Sequence, residues 1–259
     1  MTSGPRLVLT ALPGFPMVTS GQDLVAPILH SLHQAEIECL DGDVLVLAQK
    51  IVSKAEGRAI LLHSVDPSPE AQRLAAITHK DPRLVEIILQ ESRQVLRMRP
   101  GLLIVEHRLG FVCANAGVDQ SNVQAGRDQG AEIALLLPDD PDHSAKTIRR
   151  GLQDALDVNL GVLIIDSHGR PWREGAVGVT IGLSGVPGVV DLRGTSDLFG
   201  DVLQTTTLGL ADELAAGASL LMGQAGEGTP VIHVRGLPYD LREGCMQEII
   251  REREKDLFR

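Results

Sequence analysis

Aromatic residues are nearly missing from this 259-residue chain: four Phe, one Trp and one Tyr make up 2% of it. Ring stacking is therefore no general means of holding a ligand. Aliphatic side chains and alanine must fill the core, and a 43% hydrophobic content supplies enough of them for one or two compact units. Cysteine is equally scarce. Cys39, Cys113 and Cys245 have no CxxC spacing, which excludes a disulfide framework and a zinc knuckle and fits idle thiols in a reducing compartment. Positive charge is in deficit. Against 34 Asp and Glu stand 24 Lys and Arg, for a formal net charge of −10, the opposite of the basic face a nucleic-acid backbone requires. The acidic excess reads first as a soluble surface and also suits a site that gathers divalent cations. No window approaches the ~20 apolar residues that span a bilayer. The apolar run at residues 7–12, closed by Pro13 and Pro16, lacks a signal-peptide core and cleavage site. A cytoplasmic protein without membrane or nucleic-acid partners is expected. The GxxxxGK[ST] P-loop is missing too.

What is present alternates between strand and helix signals and predicts a mixed α/β (α+β) fold. Buried strands are expected at residues 43–48, 102–105, 161–165 and 230–234, each a short aliphatic run typical of sheet interiors covered on both faces. A helix beginning near Asp23 carries Leu24, Val25, Ile28, Leu29 and Leu32 on one face. Pro27 falls in its first turn, where N–H groups lack helical partners. Asp81-Pro82 reads as N-cap and N1 of a helix running through Leu84, Ile88 and Val95. Further helices are expected at 144–156 and 205–222, the latter ended by Gly223. No internal repeat interrupts the single unit expected over 1–259, and the turn-rich residues 137–142 are the best candidate for a boundary between two subdomains.

Four segments carry polar chemistry at expected strand ends. Asn115-Ala116-Gly117-Val118-Asp119-Gln120-Ser121-Asn122 combines a carboxylate, an amide and a glycine, which suits a metal or phosphate contact and equally a self-capping turn. Ile165-Asp166-Ser167-His168 leaves a buried strand with a carboxylate and a hydroxyl that together can hold one metal or bridge two. His168 reads as a turn residue rather than a base or ligand. Gly223-Gln224-Ala225-Gly226-Glu227-Gly228 is a loop whose backbone N–H groups can cradle phosphate oxygens. Gln49-Lys50-Ile51-Val52-Ser53-Lys54 brings two lysines to a strand end, where they serve phosphate or merely solvent. Together the four point to a nucleotide and metal site built without a P-loop.

In order along nearly the whole chain, the motifs resemble the coenzyme F420 gamma-glutamyl ligase family. They comprise Gly14-Phe15-Pro16-Met17-Val18, Gly21-Gln22-Asp23-Leu24, Asp41-Gly42-Asp43-Val44, Lys50-Ile51-Val52-Ser53-Lys54-Ala55-Glu56-Gly57-Arg58, Asn115-Ala116-Gly117-Val118-Asp119 with Ser121-Asn122-Val123, Asp140-Pro141-Asp142, Asp166, Gly169-Arg170-Pro171-Trp172-Arg173-Glu174-Gly175, Ala211-Asp212-Glu213-Leu214 and Leu221-Met222-Gly223. The resemblance implies a two-part ligase fold assembled as a homodimer. It implies GTP as co-substrate, Mg²⁺ or Mn²⁺ as a pair in each site, and K⁺ in support. The carboxyl of the phospholactyl tail on a deazaflavin coenzyme precursor would be activated as an acyl phosphate. The amine of L-glutamate would then displace the phosphate, with gamma-linked extension in later rounds. Ending at Arg259, the chain is expected to be the stand-alone form, without the nitroreductase-like domain of some relatives. By motif, Asp119 and Asp166 correspond to ligands of a first metal, and Ser167 and Gln224 to contacts of a second. Phe15, Pro16, Met17, Val18, Gln49, Lys50, Lys54, Asn122, Gly223, Gln224, Ala225 and Gly226 correspond to nucleotide contacts. No catalytic Ser, Cys or His is assigned.

Two departures stand out. Relatives have Glu where Gln224 stands, and Arg or Lys near Gly194-Thr195-Ser196-Asp197 and Asp201. The second keeps open a ligase of the same chemistry with a different acceptor. A metal-dependent nucleotide phosphohydrolase would use the same aspartates. A nucleotide-binding module without catalysis has no need of Asp119, Asp166 and Lys54 together.

Overall fold

A computed structural model describes residues 4–120 and 132–257. Its elements are β1 (Val8–Ala11), α1 (Val25–Gln34), β2 (Val44–Ala48), α2 (Gln49–Ala55), β3 (Ala59–Leu61), α3 (Pro69–Thr78), α4 (Pro82–Gln90), β4 (Ser92–Arg99), β5 (Leu102–His107), β6 (Val112–Ala114), β7 (Ile133–Leu135), α5 (Pro141–Leu156), β8 (Gly161–Arg170), β9 (Arg173–Ser184), β10 (Val190–Asp191), β11 (Thr207–Leu208), α6 (Leu210–Met222) and β12 (Val231–Arg235). The fold class is the mixed α/β expected from the sequence.

A five-stranded sheet of order β1-β12-β2-β8-β9 organises the structure, parallel only between β2 and β8. Period-2 alternation explains why its inner strands read as continuous aliphatic runs. Leu45, Leu47, Val162 and Ile164 face Ile28 and Leu32 of α1 and Ile148 and Leu152 of α5. Val44, Val46, Leu163 and Ile165 face Leu210, Leu214 and Ala218 of α6. Each fully buried Leu or Ile adds about 1.5–3 kcal/mol of apolar burial. Edge strand β9 does not leave its amides open. The Thr180 and Leu183 N–H groups donate to Asp212 and Asp142, both at 2.9 Å.

A separate apolar cluster joins Leu74 of α3, Val85, Ile87 and Ile88 of α4, Leu103 and Val105 of β5, and Ala116, Ala134 and Leu136. Asp81 caps α4 as expected, accepting from the Arg83 N–H at 2.8 Å. The helix stops at Gln90, however, and Val95 lies on β4, paired with Val105. Its end is tertiary in origin. Buried Glu91 takes Arg58 at 3.2 Å and Arg108 at 2.9 Å. Burial alone would raise its carboxyl, but His107, Arg108 and Arg58 outweigh that and hold it at about 2.

Several boundaries also differ from expectation. Helix α5 starts at Pro141, three residues earlier than expected, because Asp140 caps it through the His143 N–H at 3.0 Å. Helix α6 starts only at Leu210, since Thr207 and Leu208 pair with β10. Residues 49–55, placed by the sequence at a strand end, follow β2 directly and form a helix. Strand β8 runs on to Arg170, so His168 is a strand residue and not a turn residue. Among the described residues no helix is long and apolar enough to cross a membrane.

Candidate active site

Strand β2 stops at Ala48, opposite Ile165 of β8, and the chain turns at once into α2. Among the described residues β8 pairs from Asp166 onward with β9 alone, Asp166 lying opposite Val179 and Ser167 opposite Gly178. Asp166 and Ser167 therefore lie within a strand yet beyond the end of the parallel pair, where α/β sheets open toward ligands. The opening is a cleft of about 870 Å³, within the size range of small-molecule sites.

Helix α2 supplies one wall. Gln49 is buried, and its Oε1 accepts from the Ser53 hydroxyl at 2.7 Å. Lys50 and Lys54 are one turn apart. Lys50 Nζ meets Asp119 Oδ2 at 2.6 Å, with both side chains about a third exposed (30% and 27%). Burial and the neighbouring Lys50 ammonium lower the pKa of Lys54, while Asp119 works the other way.

Asp119 is delivered by an uncommon piece of backbone. Asn115, Ala116 and Gly117 have φ of +50°, +54° and +64°, three left-handed residues in succession. Each non-glycine residue there costs about 1–2 kcal/mol. The surroundings hold the turn in place. Asn115 Oδ1 accepts from the Leu103 N–H at 3.1 Å, and a Cβ on Gly117 would fall 2.7 Å from Leu137. Two residues later Asp119 exchanges both backbone bonds with Leu135, at 3.0 and 2.8 Å.

The glycine-rich loop after α6 forms the facing wall. Ser167 Oγ donates to Gln224 Oε1 at 2.8 Å. Within the loop the Glu227 carboxylate accepts from the Ala225 N–H at 2.8 Å. The N–H groups of Ala225, Glu227 and Gln224 hold its carboxyl below the ordinary range. The loop thus behaves as an anion-binding nest, and the anion in it is its own side chain. Gly223 has φ of +71°, and any side chain there would collide with Glu227.

Phe15, Pro16, Met17, Val18, Gln49, Lys50, Lys54, Asp166, Ser167, Gly223, Gln224, Ala225 and Gly226 all line this one cleft. Asp119 joins it through Lys50. Ser121 and Asn122 lie outside the described residues. Glu227, Gln120, Glu132 and Thr229, to which the sequence assigns no individual contact, also line the cleft. Glu227 was open to discovery, as an acid inside a loop read as an anion cradle. The donor set suits a hard divalent cation. Ser167 Oγ and Gln224 Oε1 lie 2.8 Å apart, near the edge of about 3 Å that an octahedron with metal–oxygen bonds of about 2.1 Å requires. Two of the three thiols are inert by burial, with Cys39 pushed up to about 11 and Cys113 to about 12.

Residues 14–236 match the family model described as F420-0:Gamma-glutamyl ligase. A protein of Methanothermobacter thermautotrophicus named Coenzyme F420:L-glutamate ligase is 48% identical over 253 residues, covering 97% of this chain and 98% of its own. Proteins of the same name from Methanopyrus kandleri and Archaeoglobus fulgidus are 47% and 41% identical, covering 98% of this chain in each case and 98% and 97% of their own.

Proposed function

The chain belongs to the F420-0:gamma-glutamyl ligase family, and from that premise we propose that it joins L-glutamate to the phospholactyl carboxyl of the unglutamylated F420 precursor, using GTP. The γ-phosphoryl group passes to that carboxylate, giving GDP and an acyl phosphate. The glutamate amine attacks the acyl carbon, a proton is released, phosphate leaves, and an amide remains. Activation is needed because a free carboxylate is a poor electrophile. No enzyme nucleophile enters the sequence of bonds. Mg²⁺ or Mn²⁺ as a pair, K⁺, a homodimeric assembly and gamma-linked extension belong to the same reading.

The observation that carries it is the composition of the cleft. Two ammonium groups on one turn of α2, a nest of loop N–H groups that already favours an anion, and the oxygens of Asp166, Ser167 and Gln224 face a single opening. Lys50 and Lys54 meet phosphate charge, and the loop N–H groups donate to phosphate oxygens. Asp119 and Asp166 would hold one divalent cation, and Ser167 and Gln224 would contact a second. Such a cation supplies charge neutralisation at the transferring phosphoryl group. Phe15, Pro16, Met17 and Val18 give the cleft its apolar lip.

Protein incubated with GTP, Mn²⁺ or Mg²⁺, L-glutamate and the unglutamylated precursor is expected to yield a product heavier by one or more glutamyl units, with matching GDP. Mass spectrometry reads both. GDP without a heavier product would overturn the reading. It would favour a phosphohydrolase, or, if GDP release depends on another carboxylic acid, a ligase with a different acceptor.

A further inference from the structure

We propose that His168 is a positioning residue for Asp166, its Nε2–H holding one carboxylate oxygen so that the other is presented to a divalent cation in the cleft. The inference rests on the reading of Asp166 as a cation ligand in the function proposed above.

The observation is geometric. His168 Nε2 and Asp166 Oδ2 lie 3.1 Å apart, with side chains only 14% and 16% exposed. The two residues stand i and i+2 on β8, so the pleat points both side chains to one face, while Ser167 points to the other and reaches Gln224. A carboxylate oxygen accepts, so Nε2 is the donor in this contact. The imidazole is itself supported. Its ring packs on Phe111 at 5.6 Å, tilted by 46°, and Phe111 stacks on the ring of His107 at 5.1 Å and 3°. His107 is fully buried, and its Nδ1 accepts from the Leu109 N–H at 3.0 Å. Three rings thus run as a strut from the interior to Asp166. Two rigid strands and a packed ring leave the carboxylate few orientations, the condition under which outer partners tune a metal ligand. His168 is not offered as a ligand itself, because the oxygens of Asp119 and Asp166 form the hard donor set and its Nε2 is already committed to the carboxylate.

Mn²⁺ alone, titrated into the full-length protein and followed by electron paramagnetic resonance, tests this. H168L is expected to weaken Mn²⁺ binding about 10–100-fold, the range for loss of an outer-shell partner, and D166N to weaken it further. H168Q, which keeps an N–H at similar reach, should recover most of the affinity. The wild-type spin-echo spectrum should lack nitrogen modulation. A merely structural histidine would lower the thermal midpoint of the metal-free protein in H168L without moving Mn²⁺ affinity, and that result would overturn the proposal. Nitrogen modulation in the wild type would overturn it too, by making His168 a ligand. If H168L does not fold, H168Q decides: affinity within about threefold of wild type supports the proposal, and a loss as large as that of D166N sinks it. Unchanged Mn²⁺ affinity in D166N would instead remove the reading of Asp166 on which the inference stands.

Discussion

Strand β2 has charged neighbours at both ends, and the two ends are built on different terms. Before its first residue, Asp43 is 3% exposed and receives Arg235 through both oxygens, at 2.9 and 2.6 Å, and His233 at 2.8 Å. Burial alone would raise its carboxyl, but the bonds from Arg235 and His233 outweigh that and hold it below the ordinary range. Cys39, Asp43 and His233 bring ligand atoms within 4.8 Å of one another, yet the Arg235 guanidinium already takes the place of a cation. Beyond the other end of β2, the Lys50–Asp119 pair is about a third exposed, and the Ser167–Gln224 bond faces the same cleft. Where charge is saturated among buried partners it fastens strands together. Where it lies at the rim of a cleft it stays in contact with solvent.

The sharpest way to break this contrast is D43A, which leaves Arg235 and His233 without their buried partner. Stability to urea is expected to fall by about 3–5 kcal/mol, whereas K50A should cost under about 1 kcal/mol while weakening GTP binding in calorimetry. Equal stability losses would erase the distinction between the ends. Glu91 repeats the saturated pattern in the other apolar cluster. Its folded-state carboxyl, held at about 2, lies below the unfolded value near ~4.3. Its contribution is therefore full above that unfolded value and is lost as pH falls through about 2. E91Q should remove on the order of 2–3 kcal/mol at neutral pH and flatten the acid limb of a urea-midpoint profile. D166N should reduce glutamyl-product formation more than about 100-fold, since even outer-shell partners of a metal are worth 10–100-fold, at nearly unchanged thermal midpoint. A collapse of the midpoint would place Asp166 with the saturated residues instead. The smallest expected effect belongs to E227Q. Removing the loop's own anion should tighten GTP about threefold, the scale of one exposed charge interaction, and weaker binding would mean that Glu227 assists rather than competes.

Much of this was legible because local rules and burial agreed. Residues 44–48 and 162–165 are aliphatic at every position since both faces of the sheet are covered, and Leu24, Ile28 and Leu32 mark the inner face of α1. Asp81-Pro82 opens α4 by its own chemistry. Failures came where a distant residue decided. Val95 continues the helical spacing of Leu84 and Ile88, but Arg58 and Arg108 close on Glu91 and the chain reverses into β4. The seven residues of α2 are too few for periodicity to register against the strand before them. Arg235 and Asp43 are 192 positions apart, and nothing local in either announces the other. In the cleft, residue types and their order along the chain carried the candidates. The pairing of His168 with Asp166 did not emerge, because β8 was read as ending before it.

The left-handed turn at Asn115, Ala116 and Gly117 has a consequence for the order of assembly. It is the mirror image of the turn that L-residues favour, so a short peptide of this stretch has no local reason to adopt it. It exists once Leu137 covers Gly117 and the Leu103 amide engages Asn115, contacts that span 20 and 12 positions. Asp119 therefore reaches its place only after the two chain segments around it have closed. A molecule with its helices and sheets formed but this corner open would have its scaffold without Asp119 beside Lys50.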